Sequence, residues 1–432
     1  MKFVSTRGRA EAVHASDAII KGLAPDGGLY VPEYLPALEG AGGYGGTGND
    51  ATLSYPELAS KVLAPFFEGD RLQDELPALC RSAFSFPVEL AELTPRRRVL
   101  EIFHGPTAAF KDFGARFLAA VMERLQKGQD ELTILVATSG DTGGAVASAF
   151  FRRENISVRV LFPEGRVSAR QQKQLTCWGE NVSSYAVRGA FDDCQKMVKE
   201  AFVSEKIAEK YRLSSANSIN LGRLLPQTVY YVWASLRYLR ETGEEPVIIV
   251  PSGNVGNSVG AFYAKTMGAP IRRVVLAVNA NRVIPDYLES GEYSPRPSIR
   301  TPANAMDVGD PSNMERLRHL FPGIDAFREH VTAHSVSNEQ IRGTITSIHD
   351  DYGYVPCPHT AAGEWVRHTF YPDAPTIVAA TAHPAKFETI VEPLIGREVP
   401  TPPALEELLE APSRYQTIDA RIASLFPDVF GE

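Results

Sequence analysis

The feature that most constrains the fold is a short, wholly apolar segment that recurs along the chain. Its first occurrence is LTILVA at residues 132–137. A strand that is apolar at every position is buried on both faces, which is typical of a parallel sheet covered by helices. The pattern recurs at residues 158–162, 247–250, 274–278 and 377–380. Segments with helical periodicity lie between these runs, so the sequence predicts an α/β fold.

The apolar segments fall into two groups, near residues 132–187 and 247–380, which predicts two open, twisted, mainly parallel sheets covered by helices. The N-terminal part differs, because turn-forming residues dominate it. Only two short amphipathic helices are indicated there, at 55–67 and 72–83, and GAGGYGGTG at 40–48 is typical of a surface loop. The predicted division of the chain is an N-terminal extension or domain at 1–97, a smaller α/β domain at 98–215 and a large α/β domain at 216–432.

Composition excludes several classes of protein. Lys and Arg number 44 against 52 Asp and Glu, a net charge of -8, so the chain lacks the excess of basic residues that a nucleic-acid binder needs. No segment approaches the roughly 20 apolar residues that span a bilayer, and the start of the sequence lacks the apolar core of a secretory signal. The four cysteines form no CxxC pair, which is typical of reduced thiols. We therefore expect a cytoplasmic globular protein without a membrane or nucleic-acid partner.

Two strand-to-helix junctions are candidate ligand sites, because ligands in open α/β sheets lie where strands end and helices begin. The loop ATSGDTGGA (137–145) combines small residues with hydroxyl donors, and the helix that follows favours an anion. The loop PSGNVGNSVG (251–260) is a second glycine-rich junction, although it is neither the dinucleotide fingerprint nor a P-loop, since it has no lysine. Either loop alone could be a capped turn without a ligand. Two such loops in one chain favour an anion site.

A third junction, HGPTAAFKDFGARF (104–117), places Lys111 at the predicted start of a helix with an apolar stripe. A helix N-terminus disfavours a cation, and the neighbouring Phe110 and Phe113 would remove the amine from water. Burial lowers the pKa of a lysine and favours the neutral form that Schiff-base chemistry requires. Most lysines are instead surface side chains whose alkyl stem lies along the protein, so this junction alone leaves the role of Lys111 open.

Five motifs occur in one order: HGPTAAFKDFGARF, ATSGDTGGAVA, SANSINLGRLLPQ, PSGNVGN and ATAHPAKF. Together they resemble the threonine synthases, in their bacterial and fungal subtype within the fold-type II pyridoxal-phosphate enzymes. The N-terminal stretch GLAPDGGLYVPEYLP is similar to that subtype as well, so the resemblance covers most of the chain. SGDTG has Asp141 where many other fold-type II enzymes have Asn, which is also similar to the narrower subtype. The resemblance implies the type II fold and pyridoxal 5′-phosphate as cofactor.

The resemblance also implies roles for particular residues. Lys111 matches the lysine that binds the cofactor covalently and moves protons, and it would lie in the smaller domain. The other cofactor-binding residues would be Gly253, Asn254, Val255, Gly256 and Asn257 at the cofactor phosphate, in the large domain, and Thr381 beside the pyridine nitrogen. The substrate-binding residues would be Thr138, Ser139, Asp141 and Thr142 at the carboxylate, and Asn217 and Arg223 at the substrate phosphate. An arginine fork suits a phosphate dianion, whereas the structural alternative for Arg223 is a surface salt bridge.

For activity, the resemblance implies conversion of O-phospho-L-homoserine and water to L-threonine and phosphate, by γ-elimination and then β-addition of water. The enzyme would be a carbon–oxygen lyase of threonine biosynthesis that works as a monomer or homodimer. The alternative on the same scaffold is a serine/threonine dehydratase or a phospho-lyase that yields 2-oxobutyrate. The dehydratase needs no phosphate pair such as Asn217 and Arg223. A binding protein that has lost catalysis is a further alternative, which the intact Lys111 disfavours.

Histidines provide the remaining candidates. His330 and His334 have helical spacing, but no HExxH motif or third ligand accompanies them, so we predict no metal site. His104, shortly before Lys111, is predicted to be structural. His383 lies close to Thr381 in the sequence, and we expect it near the cofactor ring.

Overall fold

The structure, a computed structural model, describes residues 1–38, 53–138 and 140–431. The predicted loop at 40–48 and the predicted substrate residue Ser139 lie outside the described residues. The strands are β1 Phe3–Ser5, β2 Tyr30–Pro32, β3 Glu89–Thr94, β4 Arg97–Glu101, β5 Leu132–Ala137, β6 Ile156–Pro163, β7 Val182–Arg188, β8 Arg212–Ser215, β9 Val247–Pro251, β10 Arg273–Val278, β11 Thr332–Ser335, β12 Thr376–Ala380 and β13 Gln416–Asp419.

The helices lie between these strands and cover them. They are α1 Ala15–Lys21, α2 Tyr55–Leu63, α3 Leu76–Ala83, α4 Lys111–Gln126, α5 Asp141–Phe150, α6 Ala169–Thr176, α7 Phe191–Val203, α8 Glu205–Ala208, α9 Leu221–Thr242, α10 Gly256–Thr266, α11 Val283–Ser290, α12 Met314–Leu320, α13 Ile324–His330, α14 Asn338–Tyr352, α15 Pro358–Phe370, α16 Glu388–Ile395, α17 Pro403–Glu410, α18 Ile422–Leu425 and α19 Pro427–Phe430. Short 3-10 helices occur at Ala64–Phe67, Gln73–Glu75, Asn304–Met306 and Pro384–Phe387. Over the described ranges, no helix has both the length and the apolar character needed to cross a membrane.

Most strands belong to two open sheets. The five-stranded sheet has the order β13-β7-β6-β5-β8, and all its pairs are parallel. The six-stranded sheet has the order β11-β10-β9-β12-β4-β3, and of its described pairs only β3–β4 is antiparallel. The five apolar segments form β5 and β6 in the first sheet and β9, β10 and β12 in the second. The predicted mainly parallel α/β fold is confirmed.

The N-terminal part shares one hydrophobic core with the α/β part. Strands β1 and β2 form a small antiparallel sheet, and α2 and α3 pack against α4 and α9. The Phe84 ring stacks on Phe117 of α4 with 6.0 Å between centroids, and Phe67 meets the same ring edge-on at 6.1 Å. The predicted helices at 55–67 and 72–83 are confirmed as α2 and α3, each continuous with a 3-10 turn. This packing holds α4, and therefore its first residue, in place.

Strand pairing crosses the predicted domain boundaries. Strand β4, at the start of the predicted smaller domain, pairs with β12 in the six-stranded sheet. Strand β13, near the end of the predicted large domain, pairs with β7 in the five-stranded sheet. Each sheet therefore contains strands from both predicted α/β domains. The domain boundaries at 97/98 and 215/216 stay a prediction.

Candidate active site

Lys111 lies beside the end of β12 because main-chain groups hold the two segments together. Ala109 forms an antiparallel bridge with Ala382, and the Phe110 amide donates to the carbonyl of Thr381 at 2.9 Å. Lys111 follows immediately as the first residue of α4. The motifs HGPTAAFKDFGARF and ATAHPAKF, which are distant in the sequence, are therefore neighbours in space.

The amine of Lys111 is electrostatically unusual. The residue is half-buried, and its Nζ lies 4.7 Å from the centroid of the Phe110 ring. Burial is the main cause that lowers the pKa of Lys111 to about 8. The cations Lys386 and Arg223 act in the same direction, whereas the carboxylate of Asp141 opposes them. Neutral amine is therefore accessible near neutral pH, as imine formation requires.

The loop after β5 is built around Thr138. Its Oγ1 accepts hydrogen bonds from the amides of Gly140 at 3.0 Å and Gly143 at 2.9 Å. A Cβ on Gly143 would lie 2.4 Å from Thr138 Cγ2, so this tight turn requires a glycine. The hydroxyl of Thr138 thus stabilises the loop. The first two residues of α5 are Asp141 and Thr142, and both line a cleft together with Lys111.

Asp141 forms a buried ion pair that the sequence did not predict. Its Oδ1 lies 3.0 Å from Nζ of Lys386, and the two side chains are only 3% and 1% exposed. Lys386 also donates to the Thr107 carbonyl at 2.8 Å, and Gln171 Nε2 donates to the same carboxylate oxygen at 3.4 Å. Burial alone would raise the pKa of Asp141, but the charges of Lys386 and Lys111 hold it well below its usual range.

The cleft at Lys111 is lined by Lys111, Asp141, Thr142, Gln171, Asn304 and Ala305. A second unpredicted residue, His359, supports its wall. The Ala305 amide donates to His359 Nε2 at 3.2 Å, and burial lowers the pKa of this histidine to about 4. His359 is therefore a neutral acceptor at physiological pH. Nothing in its sequence context, CPHTAAG, distinguishes it from an ordinary core residue.

The loop GNVGN connects β9 to α10. Val255 precedes the helix with a left-handed backbone, φ 65°. The side-chain amide of Asn254 is held at both ends, because its Nδ2 donates to Ser218 Oγ at 2.6 Å and its Oδ1 accepts from the Ser312 amide at 2.6 Å. The predicted cradle is thus a rigid turn at a helix N-terminus, where main-chain amides favour an anion.

Among the residues that the structure describes, two side-chain donors at this loop lack a partner. Asn257 Oδ1 accepts from the hydroxyls of Tyr230 and Tyr231, at 2.5 and 2.9 Å, yet its Nδ2 is buried without a partner among the described residues. Asn313 is distant in the sequence but close in space, since its Nδ2 lies 3.3 Å from where a Gly256 Cβ would be. This Nδ2 also has no partner among the described residues. Buried donors without acceptors are unfavourable unless a ligand supplies them. These residues therefore fit the phosphate of the pyridoxal cofactor that the resemblance implies.

Arg223 is a buried cation in the first turn of α9, and Asn217 lies in the loop before that helix. Its Nη1 donates to the Ala216 carbonyl at 2.6 Å, while Nε has no partner within the described ranges. Burial lowers the pKa of Arg223 to about 10, and the carboxylate of Asp112 partly offsets this effect. Arg223 is only 3% exposed, so the surface salt bridge considered as its alternative role is excluded. The buried Nε donor without an acceptor makes Arg223 a candidate ligand for an anion.

The remaining histidines occupy separate places. His330 ends α13 and stacks on Phe321, whereas His334 lies in β11 and stacks on Phe370, so the two do not share a helical face. His383 Nδ1 accepts from the Ala385 amide at 3.2 Å, and burial lowers the pKa of His383 to about 4.

His104 lies in a small cluster of acidic residues. Its Nε2 pairs with Glu101 Oε2 at 2.9 Å, and this hydrogen bond raises the pKa of His104. Glu89 joins the cluster, so that one ligand atom from each of the three residues lies within 4.8 Å of the others. The ion pair with Glu101 fits the structural role predicted for His104.

Three protein-family models match the chain. The model described as "Pyridoxal-phosphate dependent enzyme" covers residues 99–364. The models described as "Threonine synthase N terminus" and "Threonine synthase, C-terminal" cover residues 2–84 and 359–425. The matched ranges together include every predicted site residue.

Related proteins match over nearly their whole length. The threonine synthase of Haemophilus influenzae is 38% identical over 96% of each chain. The crystal structure of PLP-bound threonine synthase from Brucella melitensis is similar with a TM-score of 0.90 and 36% identity, over 99% of this chain and 98% of that one. The yeast threonine synthase structure has a TM-score of 0.89 and 27% identity, over 100% of this chain and 98% of that one. A tomato threonine deaminase, at 18% identity and a TM-score of 0.54, shares the fold alone.

Proposed function

The chain belongs to the threonine synthase family of pyridoxal-phosphate-dependent lyases, and from this premise we propose that it converts O-phospho-L-homoserine and water to L-threonine and phosphate. The observation that carries the proposal is the grouping around Lys111. Lys111, with its lowered pKa, suits an imine. Arg223 acts on it electrostatically and has a buried Nε without a partner among the described residues, which suits a phosphate. The side-chain amides of Asn257 and Asn313 at the GNVGN loop, unpaired within the same described ranges, suit a second phosphate.

The cofactor would be held at three places. Lys111 would bind it covalently, and the GNVGN loop, with the unpaired amides of Asn257 and Asn313, would bind its phosphate. Thr381 would lie beside the pyridine nitrogen, as the resemblance implies. When bound, pyridoxal phosphate supplies an electron sink for carbanions next to the amino-acid nitrogen.

The substrate would be held at both of its ends. Arg223 and Asn217 would bind its phosphate, and the loop with Asp141 and Thr142 would bind its carboxylate. An arginine fork gives a charge-assisted, directional contact with a phosphate. Holding both ends fixes the reacting carbons beside Lys111, and such positioning lowers the barrier by removing the entropy cost of alignment.

Lys111 would act as the proton carrier of the reaction. With its pKa near 8 it can accept protons from Cα and Cβ and return protons to Cγ and Cα without a large energetic penalty in either direction. Arg223 and Asn217 would keep hold of the departing phosphate. A hydroxyl at Thr381, rather than a carboxylate, would leave the pyridine nitrogen largely unprotonated, which places more of the catalytic work on positioning.

The alternative is a dehydratase of serine or threonine, or a phospho-lyase yielding 2-oxobutyrate. A dehydratase of unphosphorylated amino acids has no use for a buried arginine with a free donor, so Arg223 favours the phosphorylated substrate. We place the enzyme in the cytoplasm, as a monomer or homodimer. Its four free cysteines are in keeping with a reducing compartment.

The test is turnover of O-phosphohomoserine with threonine and inorganic phosphate assayed together, beside parallel reactions with serine and threonine assayed for 2-oxo acids. We expect one threonine for each phosphate and no appreciable oxo acid. Activity on serine or threonine without activity on O-phosphohomoserine would replace the proposal by the dehydratase. Release of phosphate with 2-oxobutyrate would replace it by the phospho-lyase.

A further inference from the structure

Lys386 takes no part in the reaction described above, although its charge is buried. Its side chain is 1% exposed, and its ammonium contacts Asp141 at 3.0 Å and the Thr107 carbonyl at 2.8 Å. Removing two charges from water costs more than most ion pairs return, so a buried pair contributes little stability compared with an apolar pair of similar size. The pair between Asp141 and Lys386 therefore calls for an explanation other than stability.

The position of Asp141 creates an electrostatic problem. It is the first residue of α5 and lines the cleft, in the loop that would bind the carboxylate of the substrate. Two carboxylates close together repel each other, and the repulsion is stronger away from water. An ionised Asp141 without a counter-charge would weaken the binding of an anion at this loop.

The structure shows which cations face Asp141. Lys386 contacts its carboxylate, Lys111 lines the same cleft, and the neutral His359 is close enough to act on it electrostatically. Lys111 loses its charge when it is deprotonated, and it is also the residue that would bind the cofactor. Lys386, which contacts the Asp141 carboxylate directly, would then still pair with it.

We propose that Lys386 is a positioning residue that cancels the charge of Asp141, so that the loop with Asp141 and Thr142 can bind the carboxylate of an α-amino acid. This proposal rests on the proposed function, since it requires that loop to be the carboxylate site. The geometry supports it, because Lys386 follows β12 and Thr107 precedes Lys111. The ammonium of Lys386 thus connects the segment that leads into Lys111 with the loop that carries Asp141.

A double-mutant cycle tests the proposal with norvaline as probe. Norvaline has an α-carboxylate but no phosphate and no leaving group, and its binding is measured through the visible band of the bound cofactor. Lys386→Met leaves Asp141 without its counter-charge, and we expect its dissociation constant for norvaline to rise at least about tenfold. Asp141→Asn removes the charge that needs cancelling and should lower the dissociation constant. The double variant Asp141→Asn/Lys386→Met should return to within about threefold of wild type.

Three controls separate this role from structural support. Lys386→Arg keeps the charge and should retain most of the affinity. Lys265 is a partly buried lysine of α10 that donates to the carbonyls of Ile271 and Arg272, and Lys265→Met should change nothing in norvaline binding. The midpoint of thermal unfolding and the intensity of the cofactor band, measured for every variant, show whether the fold and cofactor binding survive.

The proposal is overturned if the double variant binds norvaline as weakly as Lys386→Met does, because Lys386 would then contact the ligand or support the fold independently of Asp141. If Lys386→Met does not fold, Asp141→Asn and the double variant are compared instead. Similar affinities support the proposal, and a difference of about tenfold contradicts it. Turnover of O-phosphohomoserine by the wild type is scored separately, so loss of the coupling alone refutes the role of Lys386 and leaves the proposed function standing.

Discussion

A Cβ placed on Gly114 would lie 2.5 Å from the carbonyl oxygen of Arg223 and 3.1 Å from its Nε. Helices α4 and α9 therefore touch through main-chain atoms at this point, an approach that only glycine permits. The contact joins the helix that begins with Lys111 to the helix that carries Arg223 in its first turn. The spacing between the proposed cofactor lysine and the proposed phosphate ligand is thus set by direct contact of two helices.

We expect Gly114→Ala to displace Arg223 and to destabilise the protein. Inserting a methyl group against main-chain atoms in a packed core costs about 1–3 kcal/mol in the free energy of unfolding. Denaturant titration measures this loss. The matched control is Gly343→Ala in the exposed middle of α14, where a Cβ meets nothing within 4 Å. Alanine there should stabilise the helix slightly. Equal effects at the two sites would show that the close contact with Arg223 has no energetic consequence.

Lys111→Ala should abolish both turnover and the visible band that a covalently bound cofactor gives. The reason is that Lys111 is the lysine placed beside Thr381 with a pKa lowered to about 8. Absorbance after dialysis against free cofactor measures the visible band, turnover is assayed with O-phosphohomoserine, and circular dichroism confirms that the fold is retained. A band that persists would identify another lysine as the attachment point. Lys386 is a buried lysine that acts electrostatically on Lys111, so Lys386→Met provides the comparison.

Gly256→Val should weaken cofactor retention. A Cβ at this position would lie 3.3 Å from Asn313 Nδ2, and the two further methyl groups of valine would crowd the donors that we assign to the cofactor phosphate. We expect the dissociation constant of the cofactor to rise at least about tenfold, which corresponds to roughly 1.4 kcal/mol. Equilibrium titration of the apoprotein measures it. Gly256→Ala should have a smaller effect, and unchanged affinity in the valine variant would exclude this loop as the cradle.

Arg223→Ala should damage substrate binding and leave the cofactor in place. Loss of a charge-assisted partner of the substrate phosphate costs about 2–5 kcal/mol in kcat/KM, or roughly 30-fold to several-thousand-fold. Arg223→Lys keeps a charge without the fork and should be intermediate. Norvaline, which has no phosphate, should bind the variant as it binds the wild type. Wild-type activity of Arg223→Ala on O-phosphohomoserine would contradict the assigned phosphate site.

The fold was predictable where a segment is apolar at every position. Strand β5 is apolar at every position and buried throughout, so the parallel sheet around it could be identified. Strand β13 (QTID) is polar and mostly exposed at the edge of the same sheet, and no periodicity marks it. Strand β4 (RRVLE) is buried, but its two arginines are satisfied by tertiary contacts such as the pair of Arg97 with Glu364. Pairings of this kind cross the predicted domain boundaries and depend on the whole fold.

The candidate site was predictable for similar reasons. Lys111 follows a phenylalanine at a helix start, and the two glycine-rich loops follow apolar strands, so local sequence marked all three. Lys386 follows β12 within ATAHPAKF, yet its partner Asp141 begins α5, which follows a strand of the other sheet, so only the fold brings them together. Thr138 was predicted to bind substrate, whereas its hydroxyl is engaged by the amides of Gly140 and Gly143. Local sequence thus shows which groups are present, and the fold determines which of them remain free for a ligand.

The most direct test of the account is the fate of water oxygen during turnover of O-phosphohomoserine in water enriched in heavy oxygen. We predict that the label enters the side-chain hydroxyl of threonine, one atom for each molecule, and that the released phosphate carries none, because the carbon–oxygen bond breaks and water adds at Cβ. Mass spectrometry of both products measures this. Label in the phosphate together with unlabelled homoserine would show simple phosphate-ester hydrolysis and would contradict the account.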